Sequence, residues 1–225
     1  MSNTNQYDFA PTCIDDIIFG SEESEMRIKE IVGGHKPFPQ SGKNGILLYG
    51  IWGTGKTTLA KLLPAAIEAA ITDGKELNDP AMVVECRRGV NGVDAINKIY
   101  DCSQYFAFNN YSGMHYFVID EADLLTDLAQ ETLKTAMNMP RTIFVLTTNH
   151  KHKIERGVVN RCVQVEMNAA TDDQWLPFAR RVLASVGVAG LTDEHLLAII
   201  QPCNGSVRDI VDALTSVAAR VKLAA

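Results

Sequence analysis

The run Gly50-Ile51-Trp52-Gly53-Thr54-Gly55-Lys56-Thr57 fits the pattern G-x-x-x-x-G-K-[ST], and its flanks restrict what this chain can fold into. Ile46-Leu47-Leu48-Tyr49 before it is a short apolar run suited to a buried strand. Thr58-Leu59-Ala60-Lys61-Leu62-Leu63 after it starts a helix well. A strand that delivers a glycine-bearing loop to a helix N-terminus aims several backbone N–H groups and the positive helix end at one point, which suits a polyphosphate. There Lys56 would reach the β- and γ-phosphates and the Thr57 hydroxyl would ligate Mg²⁺, with the segment from Gly50 to Thr58 wrapped around the anion. An ordinary strand–turn–helix can carry the same letters by chance, so the rest of the chain has to decide.

The surrounding pattern alternates. Strands are expected over 46–49, 81–86, 116–120, 142–147 and 162–166, with helices over 57–72, 93–106 and 127–137 between them. That order implies an α/β fold, a parallel sheet with helices on its faces. Upstream, Ser21-Glu22-Glu23-Ser24-Glu25 opens a helix carrying Met26, Ile28 and Ile31 that stops at Gly33-Gly34, and residues 1–6 form a polar leader expected to be mobile. From Thr171 onward the strands cease. Thr171-Asp172-Asp173, Thr192-Asp193-Glu194 and Gly205-Ser206 each open a helix with periodic apolar residues. The switch near Asn168 divides a nucleotide-binding core over 1–168 from a small all-helical lid domain over 169–225.

Three further features bear on the chemistry. Tyr116-Phe117-Val118-Ile119-Asp120-Glu121 is a hydrophobic strand ending in Asp-Glu, the Walker B arrangement. Asp120 would support Mg²⁺, and Glu121 would polarise an attacking water as general base. Ile143-Phe144-Val145-Leu146-Thr147-Thr148-Asn149 ends in an amide that can hold this water beside the γ-phosphate, with Thr148 as a helper; the alternative is a turn-forming Asn. Gly205-Ser206-Val207-Arg208-Asp209 puts Arg208 at a helix start, where it can swing over the phosphates or pair with Asp212 four residues on.

Composition narrows the class. The apolar share of 46% and charged share of 21% are ordinary for a globular protein. No apolar run is long enough to span a bilayer, and the N-terminus lacks the basic start and apolar stretch of a secretory signal. Five scattered cysteines with no C-x-x-C argue against a disulfide framework or a zinc module; each is expected in the core, in a cytoplasmic protein. With a net charge of −6, a nucleic-acid partner needs a local basic face. Lys151, Lys153, Arg156 and Arg161 are one candidate, a solvated loop being the alternative.

In this order of parts, the chain resembles the AAA+ ATPases, and within them the small subunits of DNA clamp loaders of the replication factor C type, over about 9–217. Asp120-Glu121-Ala122-Asp123 is similar to the family's form of Walker B, and residues 129–137 to the helix that follows it. Pro11-Thr12-Cys13-Ile14-Asp15-Asp16-Ile17 resembles the segment that packs near the adenine, which implies Pro11 and Ile17 as contacts of ATP. Asn160-Arg161-Cys162 resembles the family's Ser-Arg-Cys motif, with Asn in place of Ser; the resemblance implies that Arg161 is an arginine finger for a neighbouring subunit and Arg208 the sensor arginine. It also implies that Gly92 and the helix after it, with Asn97 and Lys98, lie near the DNA backbone. The third helical domain that forms the clamp-loader collar is not found before Ala225, so a collar-bearing partner is one expectation.

The function expected is an ATP-hydrolysing, Mg²⁺-dependent subunit of a homo- or hetero-oligomeric ring or spiral that closes around DNA and loads a sliding clamp. The alternative is a nucleotide-gated adaptor on DNA, of the helicase-loader or transposition-regulator kind. A small-molecule kinase fits less well, because Glu121, Asn149 and a helical lid bearing Arg208 suit hydrolysis.

Overall fold

The apolar runs come together as one sheet whose central strands are buried on both faces. The computed structural model describes residues 9–90, 92–185, 187–188 and 190–224, so the polar leader lies outside the described residues. The strands are β1 (Gly45–Tyr49), β2 (Met82–Glu85), β3 (His115–Asp120), β4 (Thr142–Thr148) and β5 (Cys162–Glu166). They run β2-β3-β4-β1-β5 across the sheet, every neighbouring pair parallel. Successive residues of a strand face opposite sides. Ile46, Leu48, Val118 and Val145 therefore meet α1 (Glu22–Val32) and α2 (Lys56–Ile71) on one face, through Ile28, Ile31, Leu59 and Leu63. Leu47, Phe117, Phe144 and Leu146 meet α3 (Val93–Ser103), α4 (Asp127–Ala136) and α5 (Arg156–Asn160) on the other, through Ile96, Ile99, Leu133 and Val158. Burial on both faces is why β1, β3 and β4 are near-continuously apolar, whereas the edge strands β2 and β5 are partly exposed.

After β5 only helices follow among the described residues. A 3-10 turn (Asp172–Trp175) leads into α6 (Leu176–Ser185), followed by α7 (Asp193–Ile200) and α8 (Val207–Ala224). Thr171 closes a reciprocal cap with Gln174, so the helix expected from Thr171 begins as this tighter turn. Val182, Leu183, Leu196, Ile200, Ile210 and Leu214 form a separate apolar core for this bundle.

Two expectations need correcting. The helix expected over 93–106 stops at Ser103, and Tyr105 and Phe108 beyond it stand in solvent on a loop. Of the five cysteines, Cys13 is exposed and Cys102 half-buried; only Cys86, Cys162 and Cys203 lie in the core.

The edge strand β5 is sealed by side chains. Its carbonyls at Cys162, Gln164 and Glu166 accept from Lys43 Nζ at 2.8 Å, Arg27 Nη1 at 2.7 Å and Ser24 Oγ at 2.8 Å. These alternate carbonyls are the row that another strand would need, so the edge is closed to pairing.

One buried acid ties helix to loop. Glu68, in α2 and fully buried, accepts from Tyr116 Oη at 2.6 Å, from the Ser112 N–H at 2.9 Å and from the Ser112 hydroxyl. Truncating it strands a buried donor on β3 and half-buried ones on the loop before it. Glu68→Ala is expected to lower unfolding stability by about 3 kcal/mol in urea titration; a loss within experimental error would mean that these donors rebond to water.

Candidate functional site

β1 delivers the chain into α2 through a loop that only glycine fits at its first position. Gly50 has φ +148°, and a Cβ there would lie 2.4 Å from the Met167 carbonyl oxygen. Gly53, also at positive φ, accepts from the Val207 N–H at 3.0 Å, so the start of α8 is docked on the loop. Lys56 is buried and donates to the carbonyls of Gly50, at 3.2 Å, and of Ile51. Burial pulls its ammonium down from 10.5 to about 8, against the opposing attraction of Asp120, Asp123 and Glu121.

Beside the loop, the ends of β3 and β4 form a hydrogen-bonded acidic cluster. Thr57 Oγ1 lies 2.9 and 3.1 Å from the two Asp120 carboxylate oxygens. Thr147 Oγ1 is 2.5 Å from Asp120 Oδ1 and accepts from the Glu121 N–H at 2.9 Å. Thr148 Oγ1 donates to Asp123 Oδ1 at 2.7 Å. Asn149 Oδ1 is buried without a hydrogen-bond partner among the described residues. Lys56, Thr57, Glu121, Thr147, Asn149 and Arg208 line one cleft. Thr57 and Asp120 place hard oxygen donors side by side, the donor type that Mg²⁺ prefers, so the residues present fit that ion.

A second recess shares Gly55, Thr58 and Val207 with the first and is mostly apolar. Pro11 and Ile17 line it, together with Trp175 and Phe178, whose rings meet edge-on at 5.7 Å. Asp16 anchors this N-terminal segment: hydrogen bonds from the Thr12 N–H and hydroxyl, then the Cys13 thiol, hold its carboxyl down at about 2.

Arg208 is exposed on the first turn of α8 and borders the first cleft, with no pair to Asp212 or any other acid among the described residues. Arg161 is placed elsewhere. Its carbonyl accepts from the N–H groups of Asn44 and Gly45, at the start of β1, whereas the phosphate loop follows the end of β1. The strand length separates them by roughly 16 Å at ~3.3 Å per residue. The Arg161 guanidinium binds Asn138 Oδ1 at 3.0 and 2.8 Å and the Gly157 carbonyl at 2.8 Å. The basic segment around it is also partly committed, with Lys151 Nζ 4.1 Å over the Tyr49 ring.

Thr147, Trp175 and Phe178 are site residues that the sequence patterns did not single out, whereas Asp123 closes the Asp120–Asp123 motif and gained no role from it. Strand register carries the signal for Thr147, since Ile119 lies opposite Leu146 and the next pair is Asp120 beside Thr147.

A glycine-bearing loop at a helix start, a buried lysine, a threonine–aspartate oxygen pair and an adjoining apolar recess define a P-loop nucleotide-binding protein. Residues 46–168 match the model of the ATPase family associated with various cellular activities (AAA), and the chain belongs to that family. It is 28% identical over 223 residues to replication factor C small subunit 1 of Pyrobaculum arsenaticum, covering 96% of this chain and 62% of that protein. It is 29% identical over 203 residues to the replication factor C small subunit of Thermoplasma volcanium, covering 89% of this chain and 59% of the relative. The chain thus spans less than two-thirds of the length of these curated relatives. Its fold is similar to that of the Thermotoga maritima RuvB Holliday junction branch migration motor, with a TM-score of 0.70 at 15% identity, covering 96% of this chain and 67% of that one. Among the described residues no helix is long and apolar enough to cross a membrane.

Two solution measurements follow from this geometry. The chain has two tryptophans, Trp52, 74% exposed on the phosphate cleft, and Trp175, buried in the recess. Adding ATP with Mg²⁺ is expected to change the intrinsic tryptophan emission saturably, with the change reduced in both Trp52→Phe and Trp175→Phe. The second concerns pH. Bound phosphates favour the charged form of Lys56, whereas the free protein releases that proton above about pH 8. Nucleotide affinity should therefore be flat below pH 8 and fall by up to about tenfold per pH unit above it, as titration calorimetry between pH 6.5 and 9.5 can check.

Proposed function

We propose that this chain is an ATP-hydrolysing subunit of a clamp-loader-like assembly acting on DNA, with each site completed by a neighbouring subunit. The observation that supports this most is the division of parts between the two ends of the sheet. The phosphate loop, Glu121, Asn149 and Arg208 line one cleft, with Asp120 hydrogen-bonded to Thr57 beside it, while Arg161 sits at the far end, out of reach of its own cleft. Lys56, Arg208 and the loop N–H groups hold the triphosphate, and the recess at Pro11, Ile17 and Trp175 takes the adenine. Thr57 and Asp120 hold Mg²⁺, which supplies charge neutralisation at the phosphates. Glu121 draws a proton from the attacking water, and the Asn149 amide fixes that water in line. Arg161 serves the site of the next subunit as an arginine finger, a contribution of about 10³- to 10⁵-fold in rate in other phosphoryl-transfer enzymes.

Two surfaces support the partners in this scheme. Arg87, Arg88, Asn97 and Lys98 are exposed around the start of α3 and suit a DNA backbone. On the loop between α3 and β3, Tyr105, Phe108 and Tyr111 are 74%, 85% and 64% exposed. That loop is braced by hydrogen bonds from Asn78 Nδ2 to the Asn109 carbonyl at 2.8 Å and from Asn109 Nδ2 to Asp79 Oδ1 at 2.9 Å. Exposed aromatics on a rigid frame are the anchors that a protein partner buries, and the sliding clamp is the partner this function supplies.

The test is Arg161→Ala. ATP binding should persist, while hydrolysis falls at least ~100-fold. Mixing Arg161→Ala with Glu121→Gln should restore part of the rate, because mixed neighbours contain one complete site. Full hydrolysis by Arg161→Ala alone would overturn completion in trans. Stimulation by primed DNA with no further gain from a sliding clamp would favour an adaptor of the helicase-loader kind.

A further inference from the structure

The geometry points to Thr147 as the positioning residue that sets both acids of the hydrolytic site through a single hydroxyl. The inference rests on the hydrolytic function proposed above. Thr147 is the penultimate residue of β4 and 2% exposed, yet it borders the phosphate cleft. Its hydroxyl has one proton and two acceptor lone pairs. An ionised Asp120 carboxylate can only accept, so the Thr147 proton points to Asp120 Oδ1, and a lone pair is left for the Glu121 N–H. The polarity of the chain Glu121 N–H to Thr147 Oγ1 to Asp120 is therefore fixed.

Glu121 needs this support more than its neighbours. It has φ +57° and ψ +46°, the left-handed region that side-chain-bearing residues rarely adopt. That conformation turns the chain sharply at the end of β3, and the turn carries the Glu121 side chain to the cleft. The Thr147 hydroxyl takes the peptide N–H of this strained residue. Without it the N–H loses its partner beside the buried end of β4, and the left-handed conformation loses a bond that favours it. Asp120 would lose one of its two hydroxyl donors, keeping only Thr57. The Glu121 carboxylate and the Asp120 carboxylate thus share one origin for their orientation.

Thr147→Val keeps the β-branched shape and removes the hydroxyl; Thr147→Ser keeps the hydroxyl and removes the methyl. With Thr147→Val, kcat for ATP hydrolysis should fall ~10- to 100-fold with KM and ATP-analogue affinity little changed. Amide hydrogen exchange at Glu121, measured without nucleotide, should accelerate in Thr147→Val and return towards the wild-type rate in Thr147→Ser, together with kcat. Equal exchange at Glu121 in wild type and Thr147→Val, or equal loss of kcat in the Val and Ser variants, would overturn the inference. If the wild-type chain hydrolyses no ATP, the hydrolytic function fails by itself, and protection of the Glu121 amide still decides whether Thr147 holds that residue.

Discussion

A parallel sheet has two unlike ends, and the placement of every reactive group in this molecule depends on that. Strands running one way put all their C-terminal residues on a single rim. There the phosphate loop leaves β1, the acids leave β3, and the hydroxyl and amide groups leave β4. The neighbouring order β3-β4-β1 brings these three together without any long connection. The same polarity sends Arg161, just before β5 begins, to the opposite rim.

On the reactive rim, charge is balanced rather than avoided. Lys56 is buried among three carboxylates that favour its ammonium while burial opposes it. Two of them, Asp120 and Asp123, are in turn held by threonine hydroxyls at Thr57, Thr147 and Thr148, not by cations. Hydroxyls can give a proton to one neighbour and accept from another, so they orient acids without neutralising them. The helical bundle enters this arrangement from above: the Val207 N–H on the Gly53 carbonyl fixes α8 against the loop, and Arg208 follows one residue later.

Much of this was legible in the sequence because it is local. The phosphate loop, the apolar strands and the Asp-Glu ending are contiguous patterns, and their strand and helix bounds agree with the structure within a few residues. What stayed hidden depends on pairs distant in sequence. Thr147 becomes important only when β4 lies beside β3, and Glu68 only when α2 packs under Tyr116. Trp175 and Phe178 look like ordinary bundle residues until the N-terminal segment closes over them. The overlong helix at 93–106 has a local cause: its apolar rhythm runs on into Tyr105 and Phe106, yet the chain leaves the helix and shows its aromatics to solvent.

The sealed edge at β5 limits how copies of this chain can meet. With Lys43, Arg27 and Ser24 on its alternate carbonyls, a second molecule cannot extend the sheet there by main-chain pairing. A neighbour that met this edge would touch it through side chains. A seam of that kind would part and re-form without breaking a cooperative ladder, and would not grow into an extended sheet.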